Sequence, residues 1–574
     1  MSRYLVQETV LRELLSSDAK VITLRAYPGF GKTYLALRLA REEYRRGSKK
    51  VLLVTKTHAE IEHIVSLAEA QDLRELIPLR GRSVLCPYAS EFCTATTCMV
   101  LRTRAVCRLR LAVDLDTMSS LDVCSIPKKL NQYVRYCCEL GVCPYELQWV
   151  VSDKVPIIVC TYSTLVNPES WGLIVKLLER SRPVTIIMDE AHNVLLAESS
   201  TQLNADALEH EIRGKLPLNP AIKDSLLKLT YYLKRGDLGK AISLIQLSPS
   251  KLRREVQKIA ALTSLRQLPN LLSILDDLFA APSYACVLVS GSRVQVVVPK
   301  VHVLLKVLQL CDKVYLLSAS LPMFALNFIG QVLGSQVKVV DVDAPLESIR
   351  GLKLVCVRGV TTKFSRRFSE KTIEVLTKIL VTSINSSSSV GGRVIFFCSF
   401  DLMNYLVRRG LKQILDADTI VEDDPNLDTR ERVSLIEEFR DRARREKAVL
   451  LTSIHSILSE GVDFRGLELV EAILVGFPFS HHVDVLRRRV KYFKDLGASR
   501  PVLLALLLPA IAATVQAIGR LMRDTERIKK LGILVDERFY SYRKLLPKWI
   551  RKKLVFMPPS PSKLAHVVFW TIGP

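Results

Sequence analysis

Long hydrophobic runs are scarce in this sequence of 574 residues. Apolar stretches near 20 residues are read as broken by charge, so neither a membrane span nor a membrane partner is expected. The opening MSRYLVQETVLREL lacks the apolar centre of a signal peptide, which makes a cytoplasmic protein the default expectation. Acidic residues are in deficit: 58 Asp and Glu stand against 82 Lys and Arg, a formal charge of +24. That excess suits a polyanionic partner, nucleic acid first, against the plainer alternative of a basic but indifferent surface. Cysteine is sparse outside one stretch: of 13, only five lie beyond the segment from Cys86 to Cys143. In a cytoplasmic chain such clustering points to a metal site before disulfides. There is no convincing repeat and no long low-complexity tract. A content of 49% hydrophobic and 24% charged residues reads as globular and too rich in apolar residues for disorder.

What is present is a length too great for one ordinary core, and two series of short apolar runs. The first contains KVITLRAY, KVLLVTKTH, PIIVCTY, VTIIMDEAH and KVYLLSAS; the second GRVIFFCSF, KAVLLTS, EAILVGFPF, VLLALLLP and LGILVD. Rich in Val, Ile and Leu without alternation, they read as strands buried on both faces of parallel sheets. Helical patterns fill the intervals, as at 33–46 and 429–444, so two doubly wound α/β sheets are expected. Two segments interrupt the first series. One is cysteine-rich; the other is helical in pattern (DALEHEIRGKL, SPSKLRREVQKIAALTSLRQL) and ends in a strand-like SRVQVVVPK. The predicted division is 1–81, 150–199 and 300–345 for the first sheet domain, with 82–149 and 200–299 inserted, and 346–574 for the second. The serine-rich run at 384–392 reads as a short flexible loop before a strand.

The chemistry begins after VITLR. Ala26, Gly29, Gly31, Lys32 and Thr33 make a phosphate loop that opens a helix, with Ala26 where the general pattern has glycine. Glycines let backbone N–H groups turn toward phosphate oxygens, and the helix dipole adds to them. Lys32 would reach the β and γ phosphates, and the Thr33 hydroxyl would ligate Mg²⁺. The partner motif is TIIMDEAHN: Asp189 at a strand end can hold Mg²⁺, and Glu190 can orient and deprotonate water. QAIGRLMRD is read as the start of a helix in the second half, with Arg520 and Arg523 on one face, suited to stabilising a γ-phosphate. A site split across two lobes closes on ATP and reopens after hydrolysis.

These residues resemble superfamily 2 helicases of the XPD (Rad3-like) branch, along most of the chain. AYPGFGKT resembles motif I, TKTHAE motif Ia, DEAH motif II and LSASLP motif III. FFCSFDLM resembles motif IV, SEGVDFRG motif V and QAIGRLMRD motif VI. TYSTLVNP resembles the segment before motif II, and TTKFSRR the element that opens the second lobe. The length is most like archaeal members. Departures are Tyr27-Pro28 in place of Pro-Thr, Phe30 in place of a small residue, and Ser-Ala-Ser in place of Ser-Gly-Thr in motif III. The resemblance implies two RecA-like domains, an iron–sulfur domain and a helical arch-like insert. It implies DNA-dependent ATP hydrolysis and 5′ to 3′ movement on single-stranded and forked DNA in repair. Tyr4 and Gln7 would contact adenine. His192 and Gln516 would link the nucleotide to the other lobe, and Gly461 and Asp463 would lie at the lobe interface. Arg523 is preferred over Arg520 for the γ-phosphate. A monomer is expected, with repair proteins as candidate partners.

By the same resemblance the cysteine insert holds a [4Fe–4S] cluster, on Cys86, Cys98, Cys107 and Cys143. Cys93 is the main rival ligand; Cys124, Cys137 and Cys138 are weaker ones. On spacing alone a structural zinc site competes closely. Arg102, Arg104, Arg108 and Arg110 surround Cys107 as a basic patch for phosphates, or as a solvated helix face. Thr57, His58, Lys363 and Arg367 lie in motifs that line the single strand in the family. The rival functions are a DNA-stimulated ATPase that remodels protein–DNA complexes without unwinding, and an iron–sulfur redox protein with an ATP-driven gate.

Overall fold

The computed structural model describes residues 3–573 except 89–97, 99–100, 103–104, 110–121, 215–218, 247–266, 346, 428, 457–463, 480–482 and 526. Three sheets organise the chain. The first contains β1 (Val21–Ala26), β2 (Lys50–Thr55), β3 (Leu76–Pro78), β4 (Ile157–Thr161) and β5 (Val184–Met188). Between its strands comes an antiparallel hairpin sheet of β6 (Glu198–Asn204), β7 (Cys286–Ser290) and β8 (Arg293–Pro299). Then β9 (Lys313–Ser318) and β10 (Val337–Val342) complete the first sheet, in the parallel order β10-β1-β9-β5-β2-β4-β3.

The second sheet is built from β11 (Leu352–Val357), β12 (Gly391–Phe397), β13 (Thr419–Glu422), β14 (Lys447–Ser453), β15 (Glu471–Val475), β16 (Lys530–Val535) and β17 (Leu554–Met557). All its pairings are parallel, in the order β13-β14-β12-β15-β16-β11-β17. The central strands of both sheets are buried along their whole length, as expected where helices cover both faces. β10 is half-buried, which suits its place at the edge of the first sheet.

Nine of the ten apolar runs form strands. VLLALLLP does not: Leu503–Leu507 is a turn of π-helix that leads into the helix Leu508–Gly519. The run is Leu and Ala rather than β-branched, and length alone cannot tell a buried strand from a buried helix. Its widened turn precedes Pro509, whose missing N–H leaves a helical bond unmade. The expectation of no uncharged apolar run near 20 residues fails at 501–519: the helical stretch Leu503–Met522 is long and apolar enough to cross a membrane by length and composition. However, 67% of its most apolar window is buried inside the fold. Motif VI also sits differently from its sequence reading, because Gln516 lies in the last turn of this helix rather than starting one. Arg520 lies in a short 3-10 turn and Arg523 in extended backbone, so the two arginines do not share a helix face.

This helix and the preceding Val483–Asp495 depart from the simple two-lobe division. Tyr492, Phe493, Leu504 and Leu508 are buried in one apolar cluster with Ile186, Leu316 and Phe328 of the first lobe. The hairpin-sheet insert has its own core, including Leu208, Leu226, Leu275 and Val296. Part of its second predicted helical stretch, 248–266, lies outside the described residues.

The serine-rich loop is shorter than expected, since one helix runs to Asn385 and β12 starts at Gly391. Ser387 and Ser389 accept hydrogen bonds from Arg393, which is fully buried. Arg393 pairs in register with the equally buried Glu471, Nε to Oε2 at 3.6 Å. Removing one member strands the other charge in low dielectric. Glu471→Ala is therefore expected to lower stability by about 3–5 kcal/mol in urea unfolding of the second lobe. The double variant Arg393→Met/Glu471→Leu should recover most of that loss.

Candidate active site

Strand ends set the site. β1 stops at Ala26, and Gly29 and Gly31 turn the chain with φ of +83° and +91°, a region glycine enters without strain. Gly31 caps the helix Lys32–Arg45 with no side chain over its first N–H groups, which leaves them facing the cleft as an anion cradle. Beside it, Asp189 follows β5. Thr33 Oγ1 donates to Asp189 Oδ2 at 2.7 Å, and Lys32 Nζ lies 3.8 Å from Glu190 Oε1. The two oxygens suited to magnesium are therefore already in contact. Burial, and then the neighbouring Glu190, push the Asp189 carboxyl up to about 6; Lys32 and Thr33 pull the other way. A divalent cation here would compete with that proton and complete the charge balance.

Glu190 holds a left-handed backbone, φ +46°, costly for a residue with a Cβ. Asn193 Nδ2 donates to its carbonyl at 2.9 Å, and Tyr162 of the TYSTL segment donates to the Asp189 carbonyl at 2.8 Å. His192, 1% exposed, is the junction with the other half of the chain. Its Nδ1 lies 3.0 Å from Ser320 Oγ and 3.4 Å from Glu190 Oε2, and its Nε2 lies 3.2 Å from Gln516 Nε2. If Gln516 donates, the imidazole proton sits on Nδ1, directed at Ser320. The Ser-Ala-Ser form of motif III thus retains a hydroxyl for this histidine.

The cleft above these groups measures about 970 Å³. Lys32, Thr33, Asp189 and Glu190 line it from one lobe, and Arg465, Arg523 and Arg527 from the other. Arg523 faces the cleft, whereas Arg520 holds its guanidinium 5.9 Å from the Phe464 ring centre and is not among the lining residues. Arg465 escaped the sequence reading although it lies within SEGVDFRG, and Arg527 had no motif to mark it. Gly461 and Asp463 lie outside the described residues. Gln7 is buried and donates to the Phe30 carbonyl at 2.7 Å, so it braces the phosphate loop. Tyr4 is exposed beneath Arg38, and Val6, between the two, is the residue of that helix that lines the cleft. Ala26 is buried under the loop.

In the cysteine insert, Cys86, Cys98, Cys107 and Cys143 line one hollow with Arg82, Leu101, Leu109 and Tyr145. Four half-buried thiols line one space, and thiolates are the donor type that a tetrathiolate cluster uses. Among the described residues, no three His, Cys, Asp or Glu side chains form a group that could hold a metal ion. The Cys138 thiol is raised by burial and then by the nearby Cys107 and Cys86, so it borders the same place. Cys137 is fully buried, its pKa pushed up to about 12 by burial, which marks a packing thiol; Cys124 is exposed. Cys93 lies outside the described residues.

The expected strand-contacting residues divide. Lys363 and Arg108 are exposed. Arg102 is half-buried and donates to the Leu109 carbonyl at 2.8 Å; Arg104 and Arg110 lie outside the described residues. Thr57 caps the helix His58–Ala70 in a capping box with Glu60. His58 is lowered by burial and then by Arg80, which keeps the imidazole neutral. Arg367 is only 4% exposed and sits between the Phe364 and Phe368 rings, which removes it as a free phosphate contact.

Fold and site together define a two-lobed, RecA-like nucleotide-binding protein. Residues 53–208 match the family described as DEAD_2, and residues 381–553 match the helicase C-terminal domain. The general transcription and DNA repair factor IIH helicase subunit XPD/RAD3 of Saccharomyces cerevisiae is 26% identical over 170 residues, 28% of this chain. The matched part spans 21% of that relative's length. A solved structure titled XPD_Helicase superposes with a TM-score of 0.67 at 18% identity, over 97% of this chain and 98% of the other. Xpd4 of S. tokodaii does so with a TM-score of 0.57 at 17% identity, over 96% and 99%. The chain belongs to the XPD/Rad3-like superfamily 2 helicases.

The seam is close-packed at one further point. A methyl group added at Gly519 would stand 2.7 Å from Pro28 Cγ, a proline ring of the phosphate loop. Gly519→Ala is expected to hold the lobes apart and raise the KM for ATP roughly fivefold, the low end of overpacking costs. Steady-state ATPase measurements test this, and an unchanged KM would show that the contact does not govern closure.

Proposed function

We propose that this protein is an ATP-dependent DNA helicase that moves along single-stranded DNA, 5′ to 3′, and opens forked duplex during repair. The observation that carries the reading is the shared cleft. Lys32, Thr33, Asp189 and Glu190 belong to one lobe, Arg465 and Arg523 to the other, and His192 meets Gln516 across the seam. An ATPase confined to one lobe would need no such second set.

The chain's own residues supply the steps. The N–H groups after Gly31 and the Lys32 ammonium hold the β and γ phosphates. Thr33 and Asp189 would hold Mg²⁺, which when bound neutralises the phosphate oxygens. Glu190 takes the proton of the attacking water. Arg523, with Arg465 beside it, offsets the charge that gathers on the leaving γ-phosphoryl group. Loss of that group withdraws the partner of Arg523 and lets the lobes part, while His192 and Gln516 relay the change across the seam. The insert rich in cysteine would hold a [4Fe–4S] cluster on Cys86, Cys98, Cys107 and Cys143; bound there, it supplies a brace for a small domain. We place the protein with chromosomal DNA, cytoplasmic in a cell without a nucleus, working as a monomer alongside repair proteins.

DNA-stimulated ATPase and strand displacement on forked DNA test the reading. Lys32→Ala should lower both by about a hundredfold or more, as loss of a preorganised cation at a charged transition state does. Stimulated hydrolysis without displacement would instead favour a remodelling ATPase. For the cluster, Cys143→Ser should lose iron and the brown thiolate-to-iron absorption of anaerobically purified protein, while Cys137→Ser keeps both. Iron retained in full by Cys143→Ser would remove the ligand assignment.

A further inference from the structure

Among the described residues, the most exposed large apolar side chain is Phe364, 72% exposed. It belongs to TTKFSRR, a segment packed at the carboxyl ends of the second sheet's strands, where ligands bind in open α/β folds. Thr362 N and Oγ1 donate to Asp536 Oδ2, just past β16, at 2.8 and 2.9 Å. A Cβ on Gly476, just past β15, would meet Thr362 Oγ1 at 2.5 Å and Cys398 Sγ, past β12, at 2.8 Å. The segment is therefore held firmly on this edge.

A single exposed phenylalanine is ordinary. What sets this one apart is its support. The buried Arg367 guanidinium lies 4.8 Å from the Phe364 ring centre and 4.7 Å from that of Phe368. Phe368 packs on Tyr405 at 5.0 Å, and Arg409 lies over Tyr405, itself held by two hydrogen bonds to Glu370. Arg367 Nε and Nη1 are buried without a hydrogen-bond partner, and Nη2 reaches Asp401 only at 3.5 Å. Its charge thus faces the two rings. Phe364 stands on this ladder as a rigid aromatic plate, with exposed Lys363 and Arg366 on either side of the same turn.

We propose that Phe364 stacks one nucleobase of the bound single strand, with Lys363 and Arg366 on the flanking phosphates. This rests on the helicase reading and names a contact within it. Every base offers a π face, so the contact is indifferent to sequence, as translocation requires.

Phe364→Ala should bind an oligodeoxythymidylate about tenfold more weakly, within the range that loss of one base stack gives. Its salt dependence should stay that of the wild type, because no charge has changed. Wild type should bind an abasic strand of equal length more weakly than the thymidylate, and Phe364→Ala should discriminate less between the two. Independently, Phe364→Trp should show indole emission quenched by the thymidylate strand and not by the abasic one. Equal affinity of wild type and Phe364→Ala for the thymidylate strand would overturn the assignment, as would binding to Phe364→Trp without any quenching. Should the wild type neither bind DNA nor show stimulated ATPase, the helicase reading falls as well.

Discussion

A carboxylate at the end of a buried strand, touching the hydroxyl of a phosphate loop, is the constraint on which the rest of this molecule turns. Asp189 is taken out of water by the sheet that carries it and stands beside a second acid, Glu190. Such a pair is tolerable only with cations at hand. Lys32 supplies one within its own lobe, and Arg523 and Arg465 approach from the other. The need to balance charge at that point is what ties two separately folded sheets to one reaction.

The seam is more than two surfaces brought together. The helices Val483–Asp495 and Leu508–Gly519, with the π-helical turn before the second, follow in sequence a strand of the second sheet, yet bury Tyr492, Phe493, Leu504 and Leu508 in the first lobe. The last turn of Leu508–Gly519 sets Gln516 beside His192 and Gly519 against Pro28. One element therefore packs into one lobe while its end touches the machinery that senses nucleotide. A shift at the phosphate loop meets this packed helix directly rather than a solvated gap, and packed contacts switch between discrete arrangements instead of stretching.

Basic residues on this chain do different work according to their surroundings. Arg393 is a structural cation locked to Glu471. Arg80, also buried, links Glu62 of the helix His58–Ala70 to the Lys128 carbonyl of the cysteine insert. Arg367 props up aromatic rings. Only exposed members such as Lys363 and Arg366 remain open to a polyanion. The net charge of +24 announces such a partner but cannot say which cations serve it.

Much was legible from residues in order. Runs of Val, Ile and Leu bounded by turns marked nine strands, because a strand buried on both faces has no polar phase to hide it. Gly29, Gly31, Lys32, Thr33, Asp189 and Glu190 could be named because their work depends on local backbone geometry at a strand end, which short motifs encode. VLLALLLP misled, since an apolar run carries no periodicity from which helix and strand can be separated. Arg520, Arg465 and Arg367 also could not be sorted. Whether a guanidinium meets a phosphate, a ring or a carboxylate is decided by what another part of the chain places beside it. The sequence by itself determined two parallel sheets and the phosphate loop with its acidic partner, because these rest on neighbours close along the chain. Only tertiary structure decided which arginine enters the cleft, that Gln516 meets His192, and that a helix of the second half is buried in the first lobe. Those contacts join residues hundreds of positions apart, and no local preference records them.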